Sequence, residues 1–142
     1  MTDAAAVPAA LLLPPVPLPD VDSQGFWDAL AANRVEICRC TACRTWMQPP
    51  LEHCRRCGAD TRFETASGSG TVFSFIVVRH PAVPGHLPPY VVALVELDEQ
   101  PGLRLTGILD VDPQQVEIDM AVTADIRPVG ESGISGIWWV AR

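Results

Sequence analysis

Four cysteines stand as Cys40-x2-Cys43 and, after ten intervening residues, Cys54-x2-Cys57. Two such pairs suit one job: each pair turns as a tight knuckle, and the four thiolates close a tetrahedron around a soft divalent metal. The second knuckle ends in Gly58, a residue free to take the left-handed turn that aims backbone amides at sulfur, whereas Arg44 fills the matching place in the first. Structural zinc is the expected occupant. Iron in a rubredoxin-like tetrathiolate shares the geometry, and a redox dithiol would need only one of the two pairs. Because protein supplies all four ligands, no position stays open for a catalytic water.

Cys38 lies outside both pairs and is expected to pack as a small apolar side chain. His53, His80 and His86 are scattered, and no serine sits in a nucleophile-elbow motif, so no nucleophile, base and orienting group assemble from the chain. Gly68-Ser69-Gly70 lacks the length and lysine of a phosphate loop and is read as a turn. Charge is segregated. Residues 34–62 hold Arg34, Arg39, Arg44, Arg55, Arg56 and Arg62 against three acids, for +3, whereas residues 1–33 carry −4 and residues 63–142 carry −6. The ribbon segment is therefore either a phosphate or acidic-partner contact or a solvated face balancing an acidic remainder.

The chain has 142 residues, a net charge of −7, 48% hydrophobic and 19% charged residues, and a mean hydropathy of +0.18. It is long enough for a core of its own and too apolar for disorder, and its acidity argues against generic nucleic-acid binding. Pro8, Pro14, Pro15, Pro17 and Pro19 break the apolar N-terminal stretch well before the roughly 20 residues a bilayer needs, and Asp3 is wrong for a signal peptide. A cytoplasmic protein with no membrane segment is expected.

These residues need elements to position them. Residues 1–22 read as an extended proline-rich arm. Ser23 can cap a short helix, residues 23–33, with Phe26, Trp27, Leu30 and Ala31 on one face; the Phe26-Trp27 pair is core or, less simply, a ligand platform. Residues 34–62 have no long apolar periodicity, so metal must organise them. Residues 63–142 carry strand signals near Thr71–Arg79, Tyr90–Leu97, Leu103–Val111, Met120–Arg127 and Gly136–Val140. The best alternation sets Val116, Ile118, Met120, Val122, Ala124 and Ile126 on one side. Five short strands with Gly and Pro turns predict a mainly β chain that ends in a small OB-type barrel. Two of those strands are apolar on both faces, so their outer wall should be covered by the arm, the helix or another subunit. His80 to Pro89 is expected to be a long irregular loop.

Taken together, Phe26-Trp27 on a leading helix, Cys40-x2-Cys43, Pro49-Pro50, Cys54-x2-Cys57-Gly58, Gly68-x-Gly70-Thr71-Val72-x-Ser74-Phe75 and the run from Pro89-Tyr90 to Leu97 resemble a family of OB-fold proteins with a rubredoxin-like zinc ribbon, long catalogued as a domain of unknown function. The resemblance runs from about Pro14 to the C-terminus. It implies a noncatalytic, zinc-binding partner of thiolase-fold enzymes, such as thiolases, hydroxymethylglutaryl-CoA synthase or the lipid-transfer-protein-like aldolases of steroid side-chain degradation. In that family the small protein docks beside the enzyme and helps shape its acyl-CoA site. The chain departs from the family pattern at Arg44 and Asp119, both of which stand where glycine is usual; some relatives also carry a hydratase-like domain, for which 142 residues are too few. The implied metal ligands are Cys40, Cys43, Cys54 and Cys57; candidate contacts with CoA or the partner are Arg55, Arg56, Phe26, Trp27 and Tyr90. The expected assembly is a hetero-oligomer without nucleic acid. The alternatives are an autonomous acyl-CoA-binding protein and, more remotely, a nucleic-acid-binding OB module, which would want a basic, aromatic-studded face.

Overall fold

The structure is a computed structural model and describes residues 13–142. Residues 1–12, including Pro8, lie outside the described residues, so only the last part of the expected arm can be placed. Among the described residues one helix, α1 (Gln24–Ala31), precedes eight strands: β1 (Glu36–Cys40), β2 (Trp46–Met47), β3 (Thr61–Thr65), β4 (Ser69–Val78), β5 (Tyr90–Leu97), β6 (Arg104–Asp110), β7 (Ala121–Pro128) and β8 (Ser135–Ala141). The first three strands form an antiparallel sheet in the order β2-β1-β3, and the last five close a barrel in the order β4-β5-β6-β8-β7. Only β6 and β8 run parallel, which is the five-stranded Greek-key order of an OB barrel. The expected mainly β architecture, with one short helix, a four-cysteine ribbon and a five-stranded barrel, is the one observed.

The barrel closes around alternating side chains. Along β5, Val91, Ala93, Val95 and Leu97 point inward and are buried, and Val72, Leu105, Leu109, Val122 and Trp139 complete the core. A bulge between Val72 and Ser74 turns Phe73 outward, where the Arg104 guanidinium lies 3.5 Å from its ring centroid.

Two expectations need correction. Ser23 does not cap α1 with its side chain. Asp20 starts the helix instead, because its Oδ1 accepts hydrogen bonds from the Ser23 amide at 2.8 Å and hydroxyl at 2.7 Å while its carbonyl accepts from the Gln24 amide at 2.9 Å. The alternation from Val116 to Ile126 is also not one strand, for β7 begins at Ala121. Asp119, at φ 66°, reverses the chain so that its amide reaches the Val72 carbonyl at 2.8 Å, and Ile118 is left exposed. Val116 is buried from a loop, which preserves the apolar pattern across the break.

Residues 34–62 prove more ordered than their composition suggests. Cys38, Cys40, Met47 and Cys54 are buried together, with Ala59 and Phe63 packed against them, so a small core accompanies the sheet. Helix α1 buries Ala29 and Leu30 and sets Phe26 and Trp27 against the barrel core. Gly25 lies flat on the Phe63 ring, where a Cβ would overlap the ring atoms.

Candidate metal centre

Strand β1 ends in Cys40, and the chain turns through Cys43 and Arg44 into β2, with the Cys40 amide bonded to the Thr45 carbonyl at 2.9 Å. The second knuckle repeats this, the Cys54 amide bonding the Ala59 carbonyl at 2.8 Å. Arg44 at φ 66° and Gly58 at φ 78° hold equivalent left-handed turns. The amides of Ala42 and Cys43 point at Cys40 Sγ at 3.4 and 3.3 Å, and that of Arg56 points at Cys54 Sγ at 3.3 Å. All four sulfurs lie within 4.8 Å of one another, with Cys40–Cys57 at 3.4 Å and Cys43–Cys54 at 3.6 Å. A tetrahedron with metal–sulfur bonds of about 2.3 Å has sulfur–sulfur edges of about 3.8 Å, so the set fits one tetrathiolate metal.

The thiols do not ionise alike. A hydrogen bond from the Thr45 hydroxyl, aided by the Thr45 amide, pulls the Cys43 thiol down to about 6. For Cys57 the Ala59 amide acts in the same direction, but the sulfurs of Cys40 and Cys43 outweigh it and push the thiol up to about 11. A bound divalent cation replaces the protons these sulfurs would otherwise share. Cys38 is buried in the small core, and its Sγ lies 3.5 Å from the Leu51 carbonyl, away from the four-sulfur cluster.

The arginines divide into two groups. Arg39, Arg44 and Arg62 all converge on Glu64, with nitrogen–oxygen distances of 3.2, 2.8 and 2.8 Å, and Arg34 pairs with Glu36 at 3.1 Å. Arg44 and Arg62 hold the Glu64 carboxyl down at about 2. Much of the ribbon's positive charge is thus neutralised within the ribbon. Arg55 and Arg56, between the ligands of the second knuckle, are exposed and have no ion-pair partner among the described residues.

Glu64 escapes a reading by spacing, and its signal lies in strand register: Arg39 faces Arg62 and Ile37 faces Glu64 across β1 and β3, which puts Arg39, Arg62 and Glu64 on one face. The other candidates stand on separate elements. Phe26 and Trp27 pack edge to face, 5.2 Å between centroids, against the barrel core, and Tyr90 opens β5 with its ring 5.6 Å from that of His86.

A four-thiol ribbon joined to a closed OB barrel defines the class of zinc-ribbon OB proteins. Residues 27–64 match the family model described as the ChsH2 rubredoxin-like zinc ribbon domain, and residues 63–127 match that of the ChsH2 C-terminal OB-fold domain. The chain belongs to this ChsH2 family, which includes the DUF35 scaffold proteins. It is 40% identical to a DUF35 domain-containing scaffold protein of Methanocaldococcus jannaschii over 103 residues, 70% of this chain and 72% of that one. A probable enoyl-CoA hydratase alpha subunit of Thermomonospora curvata is 42% identical over 115 residues, 80% of this chain but 35% of the relative, so the chain spans about a third of that protein. Among solved structures, a chain of the Ltp2-ChsH2(DUF35) aldolase superposes with a TM-score of 0.81 at 36% identity, covering 89% of this chain and 98% of that one.

Proposed function

We propose that this chain is a noncatalytic accessory subunit, stapled by zinc, that docks on a thiolase-fold enzyme in the cytoplasm and helps form its acyl-CoA site. The partner is a thiolase or a lipid-transfer-protein-like aldolase. The observation that carries this reading is the near-complete superposition on a chain of an aldolase assembly, 98% of that chain being matched.

Its chemistry supports the same role. The four sulfurs leave the metal no open position, so zinc holds the ribbon without reacting. Histidines offer no catalytic grouping: His53 sits 3.4 Å from Asp60 on the ribbon surface, His86 lies against Tyr90, and His80 is in a separate exposed stretch of the same loop. The barrel also presents apolar side chains suited to a permanent interface, with Ile76 62% and Leu87 86% exposed. Arg55 and Arg56 are the ribbon's free cations and serve as its contact for the CoA phosphates.

Affinity isolation of the tagged chain from its native cell, followed by mass spectrometry, tests the assignment. Recovery of a thiolase-fold enzyme in fixed stoichiometry is expected. A chain recovered alone, with or without acyl-CoA, would overturn it.

A further inference from the structure

Part of the barrel's outer wall, at β6, β8 and two neighbouring loops, faces the chain's own arm. In an OB barrel ligands usually bind the face of the second and third strands, between the loop joining its first two strands and the loop joining its last two. Here those loops are residues 79–89, between β4 and β5, and residues 129–134, between β7 and β8. The proline-rich segment crosses this region. Pro14, Pro15 and Pro17 share a cleft of about 210 Å³ with His86 of the first loop, Val129 of the second, Gly107 and Ile108 of β6, and Trp138 of β8. Pro14 lies over the second loop, for a Cβ at Gly130 would sit 3.8 Å from Pro14 Cδ.

The fit has physical reasons on both sides. Gly136 contributes no side chain to the cleft, while Ile108, Ile137 and Trp138 make its wall apolar. Proline has no N–H to leave unsatisfied on such a wall, and none of residues 13–19 makes a backbone–backbone hydrogen bond among the described residues. Between Pro14 and Pro17, both half-buried, Pro15 and Val16 are exposed. That interval of three is the repeat of a left-handed polyproline helix, which presents the same face every third residue.

We propose that this face is a polyproline-binding groove whose ligand is the arm of the same chain, so that the β6 side of the OB ligand surface, with its two flanking loops, is closed in cis and opens only when the arm leaves. Its ligand class is an apolar, proline-rich segment in polyproline conformation, recognised by an aromatic-walled groove. Nucleic acid is kept off this face by occupancy as well as by charge. The inference stands on the arm and barrel alone and does not depend on the partner proposed above.

The test uses the full chain and a synthetic peptide with the sequence of residues 11–20. Wild type should bind the peptide poorly because its groove is filled. Full-length Pro14→Gly/Pro17→Gly should bind it at least about tenfold more tightly, since apparent affinity scales with the fraction of open sites. Amide shifts should map to Gly107, Ile108 and Gly136 to Trp138. Equal affinity in the two chains, or shifts elsewhere, would overturn the proposal. Trp138→Ala provides a check that leaves the arm sequence intact: nuclear Overhauser contacts between Pro14 or Pro17 and Ile108 should be lost while the barrel's remaining amides keep their positions, and retained contacts would count against the groove. A concentration-dependent wild-type dimer that the double variant abolishes would show the arm of a second copy in the groove and overturn the cis assignment.

Discussion

Gln100 and Trp46 exchange a complete peptide-like pair of hydrogen bonds: Gln100 Oε1 accepts from the Trp46 amide at 2.9 Å, and Gln100 Nε2 donates to the Trp46 carbonyl at 3.0 Å. The side-chain amide of a barrel turn thereby stands in for the strand that β2, the edge of the ribbon sheet, lacks. Arg39 covers the other part of the same residue, its guanidinium 4.3 Å from the Trp46 ring centroid. The two residues tie the metal-bearing sheet to the barrel at a fixed place.

Gln100→Ala should therefore cost about 1 to 3 kcal/mol, two net hydrogen bonds at a partly buried site, as measured by urea unfolding. Residual dipolar couplings should also show the ribbon loosened from the barrel. Unchanged couplings in a destabilised variant would mean that the pair contributes stability but not orientation.

Metal binding should contribute on the order of 10 kcal/mol to folding of the ribbon. One zinc per chain is expected from elemental analysis. Cys54→Ser should lose it and melt β1, β2 and β3; barrel amides deep in the strands should keep slow hydrogen exchange, while those beside Ile37 and Trp46, which the ribbon contributes to the barrel's cluster, should lose protection. Iron in fresh protein would keep the geometry and change the element; no metal at all would refute the site.

Glu64 gives the ribbon a pH signature. Its folded carboxyl lies at about 2, below its ordinary 4.5, because of Arg44 and Arg62 first and Arg39 after them. A depressed pKa contributes stability that is fully present above the unfolded value and is lost as pH falls through the folded one. The difference in stability between wild type and Glu64→Gln should therefore be constant above about pH 5 and shrink between pH 4.5 and 2. Because acid also protonates the metal's thiolates, the readout is the stability difference between the two chains at each pH down to metal release, and no difference at about pH 5 and above would show the arginine cluster to be inert.

Asp119 and Arg44 both hold φ 66°, yet only the first should gain from replacement by glycine. Asp119 is exposed and uses only its backbone amide, on the Val72 carbonyl, so Asp119→Gly should stabilise the chain by about 0.5 to 1 kcal/mol. Arg44 also donates two hydrogen bonds to Glu64, each at 2.8 Å, so Arg44→Gly removes strain and an ion pair together and should bring no gain. Thermal unfolding of both variants separates the two cases.

How far the molecule could be read from its residues follows the range of the interactions. The four metal ligands declare themselves within 18 positions, Cys40 to Cys57, because knuckle geometry is local, and the barrel is legible because its strands alternate every second residue. The Gln100–Trp46 pair is 54 residues apart and leaves no spacing to detect. Likewise the three arginines on Glu64 become visible only once β1 and β3 are in register. Val116 to Met120 misled for the reverse reason: a local pattern continued through a turn whose cause, the bond from Asp119 to Val72, is tertiary.

The ribbon's remaining cations bear on function. Arg55 and Arg56 are exposed, unpaired among the described residues, and fixed at their backbones by the metal knuckle, with the Arg56 amide already committed to Cys54 Sγ. Substituting both by alanine should leave metal content unchanged and shift stability by less than about 0.5 kcal/mol, as for ordinary surface positions. A site that instead meets phosphate in a shielded interface loses charge-assisted hydrogen bonds worth roughly 1.5 to 3 kcal/mol each. CoA-ester affinity of the assembled complex should accordingly fall at least about tenfold in Arg55→Ala/Arg56→Ala. Calorimetry with the ester and, separately, with the partner enzyme distinguishes ligand from interface: unchanged ester affinity alongside weakened assembly would place these arginines against acids of the partner and away from CoA.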